Sequence, residues 1–559
     1  MEETTVVIVG AGPSGLALGA LLGRMNVKTI ILEKDTEVCE DPRGIVVNGD
    51  AVRISYQIGI GEGLTKRIGK DISVLNFHRG NFRQSPFMTF DIRDGAKHLI
   101  RTSWLVGADG KRGVVRKKFL EPEGVRQVEG EWTYVGTWVA ANLKITTPTP
   151  ESHPEFPLWK LGYTPQQVHD TFWPTGFYFC NDDKRPQVSG RFGPAGSGFW
   201  RHEYSVEPED NLDDVQGHLW KIFGSWMIIP GSKLSRTLAK TVVEFPRDCI
   251  DVIRCRPFTF TVKVVNKWFV RNTMLIGDAA HVFPPFGRQG IACRIRDAQS
   301  LAWRLAMMST ISVLTTTRER ILEGWSQERR HAWKGAMNAT RLNGSIVNMW
   351  SFFGGLLYRI VMRLVWQFPI LARLRTHRAF RDKLAFTHKT CPDGFFLDGA
   401  GVGGRKVAQI RVRKQGQAPI LSDSAFLRNL SHLSLLVFVR RDSPAVEHAQ
   451  IAEILKVADL PRDMLTMEDV TLYFIDGSSS ETSTARPEPG LEAYYPCTTE
   501  ELAGEGITPI KGYHHTSVED RYGSSAKFVL VRPDFIVHSV ASSGEELLAN
   551  LGKTGEYFR

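Results

Sequence analysis

Three glycines and a glutamate near the start of this chain have spacing that can do chemistry. Gly10, Gly12 and Gly15 form G-x-G-x-x-G, and Glu33 follows Gly15 by 18 positions. Such a loop lets backbone approach a pyrophosphate and points a helix N-terminus at it, while the later acid reaches a ribose hydroxyl. Two more carboxylates stand beside glycine, Asp109 in "VGADG" and Asp278 in "LIGDAAH". Each is suited to hydrogen-bond the hydroxyls of an extended sugar chain. The pattern points to a bound dinucleotide. No nucleophile set of Ser, His and Asp shows convincing spacing, and none of the cysteines forms a CxxC or metal-ligand pattern.

The elements that must position these groups are legible around them. Val6 to Val9 is a β-branched run that reads as a buried strand, and Leu16 to Arg24 has helical composition. Thr29 to Leu32 reads as the second strand, ending in Glu33. "WLVGADGKRGVVRKKF" (Trp104–Phe119) predicts strand, acidic turn and basic helix start. "MLIGDAAHVFPPFGRQGIACRIRDAQSLAWRLA" (Met274–Ala306) predicts strand, acidic turn, proline-rich bend and long helix. Between them, "TFWPTGFYFCND" and "SGRFGPAGSGFWRHEYSV" alternate as strands do. Trp173, Phe177, Tyr178, Phe199, Trp200 and Tyr204 are their candidate pocket aromatics, although core packing is the commoner fate of such residues.

A chain of 559 residues divides into two or three domains, and 42% hydrophobic with 23% charged content excludes wholesale disorder. The net charge of +10 is spread without a block of like charges, which argues against nucleic-acid binding. Seven scattered cysteines imply reduced thiols and a cytoplasmic setting. The glycine loop begins too early for a signal peptide to precede it. Ile346–Leu371 is apolar, but Arg359, Arg363, Gly354, Gly355 and Pro369 interrupt it, so stable membrane insertion is not expected.

Glycine loop, DG motif and GD motif in this order resemble the single-component FAD-dependent aromatic hydroxylases (class A flavoprotein monooxygenases), in particular the phenol hydroxylase and hydroxyphenylpropionate hydroxylase branch. "GGRKVAQIRV", "LSLLVFVRR" and "AKFVLVRPDFIVHSV" are similar to the thioredoxin-like tail of that branch, here without C-x-x-C. The resemblance implies an α/β fold: a Rossmann-type FAD-binding domain, an inserted mixed β-sheet substrate domain and a C-terminal thioredoxin-like domain. The expected divisions are 1–120, 121–261, 262–385 and 386–559. By resemblance, Gly10, Gly12 and Gly15 hold the FAD pyrophosphate, Glu33 the adenosine ribose, and Arg43 the flavin or its phosphates. Asp109 acts on FAD and on NAD(P)H handling, and Gly277 with Asp278 meets the ribityl chain. Gly290 and Ile291 offer amides to the flavin's pyrimidine edge. Pro284, Pro285 and His281 are the candidates where substrate meets flavin.

The activity so implied is hydroxylation of a phenolic or other aromatic substrate with NAD(P)H and O2 through a C4a-hydroperoxyflavin. No metal is expected, and homodimer contact is assigned to the tail. Three departures keep two alternatives open, an impaired flavin-binding homologue and a flavin oxidoreductase acting by dehydrogenation or epoxidation. Gly15 and Asp109 stand 94 residues apart, tens fewer than in the family, with an abrupt join at Phe87–Arg101. Arg288 and Arg294 replace glycines of the family pattern, and Gly113 replaces a common serine.

Overall fold

The computed structural model describes residues 2–559 except 36–46, 48, 69–74, 79–99, 130–133, 182–184, 195, 283, 285, 287–288, 312–313, 348–387, 389–390, 398–400, 440–447, 462–463, 475–491 and 508–512. Arg43, Pro285 and Arg288 therefore lie outside the described residues. So do most of the Phe87–Arg101 join and the apolar stretch from residue 348 onward.

The first strand (Glu2–Val9) buries Val6 and Ile8 and pairs in parallel with two neighbours. One neighbour is Thr29–Leu32 and the other is Ile100–Gly107. Thr273–Leu275 joins parallel to Ile100–Gly107, and Phe269–Val270 closes the five-stranded sheet in antiparallel sense. The crossover helix, Pro13–Arg24, starts with proline in its first turn and lays Leu18, Leu21 and Leu22 on the sheet. It ends as Asn26 takes a left-handed conformation, φ 56°, a common helix stop. Strand register matters most: Val9, Gly107 and Leu275 lie side by side. The three loops carrying the motifs therefore leave one edge of one sheet together, the edge where open α/β sheets bind ligands.

A six-stranded sheet forms the second unit, in the order Ile250–Thr261, Val135–Ile145, Phe199–Ser205, Pro186–Phe192, Phe177–Asn181 and Leu75–His78. It is antiparallel except for the outermost pair. Leu75–His78 comes from well before residue 121, so this sheet draws on more of the chain than the expected 121–261 span. One face packs Val139, Ala141, Leu143, Trp173, Trp200 and Tyr204 under the helices Pro165–Phe172 and Val215–Phe223. The other face carries Trp138, Phe177, Phe179 and Val188. Two long helices, Gly290–Thr310 and Thr315–Val347, follow the GD turn, and the first is buried along most of its length.

In the C-terminal unit Ser434–Val439, helix His448–Val457 and Val470–Phe474 make a parallel β-α-β. Phe528–Val531, Val537–Ala541 and helix Gly544–Glu556 add an antiparallel β-β-α. That is a thioredoxin-like arrangement, within a seven-stranded sheet. Among the described residues, no helix is long and apolar enough to cross a membrane.

Candidate active site

Each glycine of the first loop does a different job. Gly10 has φ +108°, and a Cβ there would meet the Ala108 carbonyl oxygen at 2.5 Å, so only glycine lets the first two motif loops touch. A Cβ on Gly15 would lie 1.9 Å from the Gly10 carbonyl oxygen, which closes the helix onto the strand end. Gly12 is different, because a Cβ there would meet nothing within 4 Å. Its missing side chain serves no protein contact and leaves space in front of the helix N-terminus, as a pyrophosphate cradle requires. Glu33 folds back over this loop. Its carboxylate accepts from the Ala11 amide at 2.6 Å and from the Lys34 and Asp35 amides.

Asp109 leaves the adjacent strand end. One carboxylate oxygen accepts from the Val115 amide at 2.9 Å, and the other is buried without a protein partner. An orphaned buried acceptor at this strand end is what a ligand hydroxyl would satisfy. The same geometry explains Gly113, since a Cβ there would sit 2.0 Å from that second oxygen. Serine at this position is incompatible with this Asp109 conformer.

The GD turn follows Leu275. Gly277 has φ +61°, and any Cβ there would strike Ser14 Oγ, so the turn presses on the glycine-loop helix. Asp278 does not stand free. Arg294 donates to Asp278 Oδ1 from Nε at 2.8 Å and from Nη2 at 2.6 Å, with both side chains about a quarter exposed. Gly290 opens toward the same guanidinium, its Cβ direction ending 3.9 Å from Arg294 Nη2. The family-glycine position thus carries a cation that engages the expected ribityl acid. Gly290 and Ile291 sit in the first turn of their helix, where amides have no intrahelical acceptor. Pro284 is buried in the preceding bend.

His281 is placed differently from the expectation. It is enclosed behind the turn, and its Nε2 lies 2.8 Å from Asp297 Oδ2. Asp297 is fully buried and also accepts from the Gly277 amide at 3.0 Å and from Arg329 Nε at 2.9 Å. Burial would raise its carboxyl, but His281 and Arg329 beside it hold it below the ordinary range. His281 is a positioning residue for the GD turn, because its reach is spent inward on a buried carboxylate.

Sequence reasoning missed the groups that fix the helices. Asp50 accepts two hydrogen bonds from Arg296, both 2.6 Å, and one from Lys406 at 2.7 Å. Burial opposes its charge, yet these two cations bring its carboxyl well below the usual range. The charged residues Arg294, Arg296, Asp297 and Arg304 on one helix were the available signal.

The aromatic wall also differs in membership. Of the six candidates, only Phe177 belongs to the cluster with Trp138, Phe179, Val188 and Phe286. Trp173, Trp200 and Tyr204 lie in the core on the opposite face, Tyr178 packs with Cys180 and Trp226, and Phe199 tilts against Phe192. Phe286 comes from the bend after the GD turn and meets the Tyr134 and Trp138 rings edge-on, with centroids 5.2 and 5.6 Å away. Trp138 Nε1 donates to the Tyr134 hydroxyl at 2.9 Å. The GD loop is in this way joined to one aromatic face of the second sheet.

Residues 3–72 and 235–340 match the FAD binding domain family. It is 24% identical over 431 residues to 3-(3-hydroxy-phenyl)propionate/3-hydroxycinnamic acid hydroxylase 1 of Burkholderia vietnamiensis (strain G4 / LMG 22486), covering 68% of this chain. It is 22% identical over 399 residues to the corresponding hydroxylase of Escherichia coli O8 (strain IAI1), covering 62% of this chain. The chain spans 62–63% of the length of these curated relatives. Two solved structures share its fold over nearly all of both chains. Aklavinone-11 hydroxylase with FAD and aklavinone has a TM-score of 0.61 at 15% identity, with 100% of this chain and 99% of the other covered. The flavin-dependent monooxygenase PieE with FAD and substrate has 0.62 at 14%, with 99% of each covered. The resemblance to the FAD-dependent aromatic hydroxylases is borne out in the family match and the fold.

Proposed function

We propose that the protein is an FAD-dependent monooxygenase that uses NAD(P)H and O2 to hydroxylate a phenolic or other aromatic substrate. The single observation that carries this reading is the junction of Phe286, from the loop behind the GD turn, with the aromatic face of Trp138, Phe177 and Phe179. It packs a buried aromatic cluster directly against the motif that resembles the flavin-binding one.

Bound FAD would supply the electron transfer and the oxygen activation. The chain's own part is to bind, orient and exclude water. The glycine-loop amides and helix N-terminus face the pyrophosphate, and Asp109's free oxygen and Glu33 are the acceptors for hydroxyls at the adenylate end. Asp278 is the acceptor at the ribityl end once Arg294 releases it. Gly290 and Ile291 present amides where the reduced ring would carry charge, a preorganised stabilisation of the oxyanion-hole type. Pro284 and the aromatic face keep water from the reacting ring. The same reading places the protein in the cytoplasm as a homodimer, supported by thiols free of disulfides among the described residues and by the family resemblance.

The test is a visible spectrum of the purified chain after incubation with FAD, followed by NAD(P)H oxidation with a panel of phenols. The expected result is a bound flavin band and substrate-stimulated NAD(P)H consumption with product 16 mass units heavier, one oxygen atom gained. Tight flavin binding with no hydroxylated product from any phenol would overturn the hydroxylase reading.

A further inference from the structure

We propose that His153, Asp248 and Cys249 form a divalent-metal site, suited to Zn2+, on the side of the second sheet away from the aromatic face. The three side chains belong to segments 95 residues apart, so no sequence spacing announces them. The fold brings their ligand atoms within 4.8 Å of one another. His153 Nε2 lies 3.2 Å from each Asp248 carboxylate oxygen and 3.8 Å from Cys249 Sγ. Ligands bound to one tetrahedral zinc, at about 2.0 Å for N and O and about 2.3 Å for S, sit roughly 3.2–3.7 Å apart. The separations from His153 Nε2 match within a few tenths of an ångström.

The pattern of hydrogen bonding separates this reading from a nucleophile triad. In a triad, acid and nucleophile divide the two imidazole nitrogens. Here both carboxylate oxygens meet Nε2, Cys249 Sγ stands beside the ring at 3.8 Å from Nε2 and 4.0 Å from Nδ1, and Nδ1 lies 2.9 Å from Ser152 Oγ, so acid and thiol do not divide the two nitrogens. A metal-bound imidazole wants that outer partner, because it fixes the ring's tautomer and direction. The ligands are also held by rigid backbone. The Thr149 carbonyl accepts from the His153 amide, Ser152 and Thr149 exchange hydrogen bonds, and Trp159 Nε1 donates to the His153 carbonyl at 2.7 Å. On the other segment, the Cys249 carbonyl accepts from the Thr146 amide, and the strands then pair from Ile145 and Ile250 onward.

Charge agrees with geometry. The carboxylates of Asp248 and of Asp251, two residues beyond Cys249, give this corner a negative surplus that a divalent cation would offset. Binding converts the thiol to a thiolate and releases its proton to solvent, with no redox change, so affinity should rise with pH. Cys249 packs in the core cluster on this face, which makes the bound ion a staple at the start of the Ile250–Thr261 strand. Asp248 is largely exposed, leaving an open position for water.

The test is Co2+ added to the full-length protein as purified and stripped of metal, read as a difference spectrum, with Zn2+ calorimetry and thermal unfolding alongside. Expected are one equivalent bound, a thiolate-to-cobalt charge-transfer band with tetrahedral visible bands, and a rise in Tm with Zn2+. Cys249→Ser should abolish the charge-transfer band and weaken Zn2+ at least about 100-fold, and His153→Gln at least about tenfold, both without altering flavin content. A wild-type protein without a thiolate band, or a band that survives Cys249→Ser, overturns the site. The serine variant differs by one atom, and retention of flavin by it shows that lost binding is not lost folding.

Discussion

At the scale of the residue, Gly12 and Gly15 ought to separate cofactor space from packing space. Gly12→Ala places its methyl in open volume, so the flavin-free protein should melt within about 1 °C of wild type, while FAD affinity falls at least tenfold by flavin-fluorescence titration. Gly15→Ala drives a methyl into the Gly10 carbonyl, and soluble yield itself should collapse. Arg294→Ala frees Asp278 from a partly exposed ion pair. Such pairs are worth up to about 1 kcal/mol, so FAD should bind about two- to fivefold more tightly. A weakened affinity would show that the guanidinium helps hold the cofactor, and an unchanged one that the ion pair does not compete with it. The glycines, Glu33, Asp109 and Asp278 were legible because each sits a fixed number of bonds from a strand end. Arg294 was legible as an intruder, but its partner was not, since only the turn at Gly277 brings acid and cation together.

At the scale of the element, the turn from Gly277 to His281 depends on one carboxylate of the following helix. Asp297→Asn keeps the shape but removes the charge between His281 and Arg329. The expected loss is about 3–5 kcal/mol in denaturant unfolding, because Arg329 is left buried without its counter-ion. Around the second sheet, the face against which a side chain packs sets its expected role. Phe177→Leu should raise KM for the aromatic substrate severalfold with little change in Tm. Trp173→Leu, on the opposite face, should lower Tm by several degrees and leave KM unmoved. Alternation told that both residues belong to strands or their flanks, yet not which face turns toward the flavin loop. That choice rests on Phe286 packing across from a distant segment, and a local pattern carries no trace of it.

At the scale of the whole molecule, buried ion pairs bind the C-terminal unit to the cofactor half. Arg53 reaches Asp423 at 2.8 and 2.5 Å, Lys406 reaches Asp50, and Glu328 lies between Arg304 and Arg532 with all three side chains at 1% exposure or less. Glu328→Gln should destabilise the protein by about 3–5 kcal/mol, read as a lower denaturant midpoint. Acid should act on the same region. Burial pushes the His388 and His538 imidazoles down to about 3 from an ordinary 6.5. The unfolded chain then takes up protons between pH 6.5 and 3 that the folded chain refuses. Their contribution is whole above pH 6.5 and is lost as pH falls, at about 1.4 kcal/mol per unit for each histidine. Unfolding free energies at pH 7 and pH 5 check this, and His538→Gln should remove about half of the difference. The tail's missing C-x-x-C and strand composition were readable, but its anchoring was not, because each partner lies hundreds of residues from the other. Those anchors have a hereditary consequence. A stop codon placed before the C-terminal unit would not release a smaller stable protein, since it would strand Arg53, Asp50 and Glu328 without partners from that unit. Mutation can repaint the outside of the tail, but a chain that discards it leaves buried charges of the first half uncompensated.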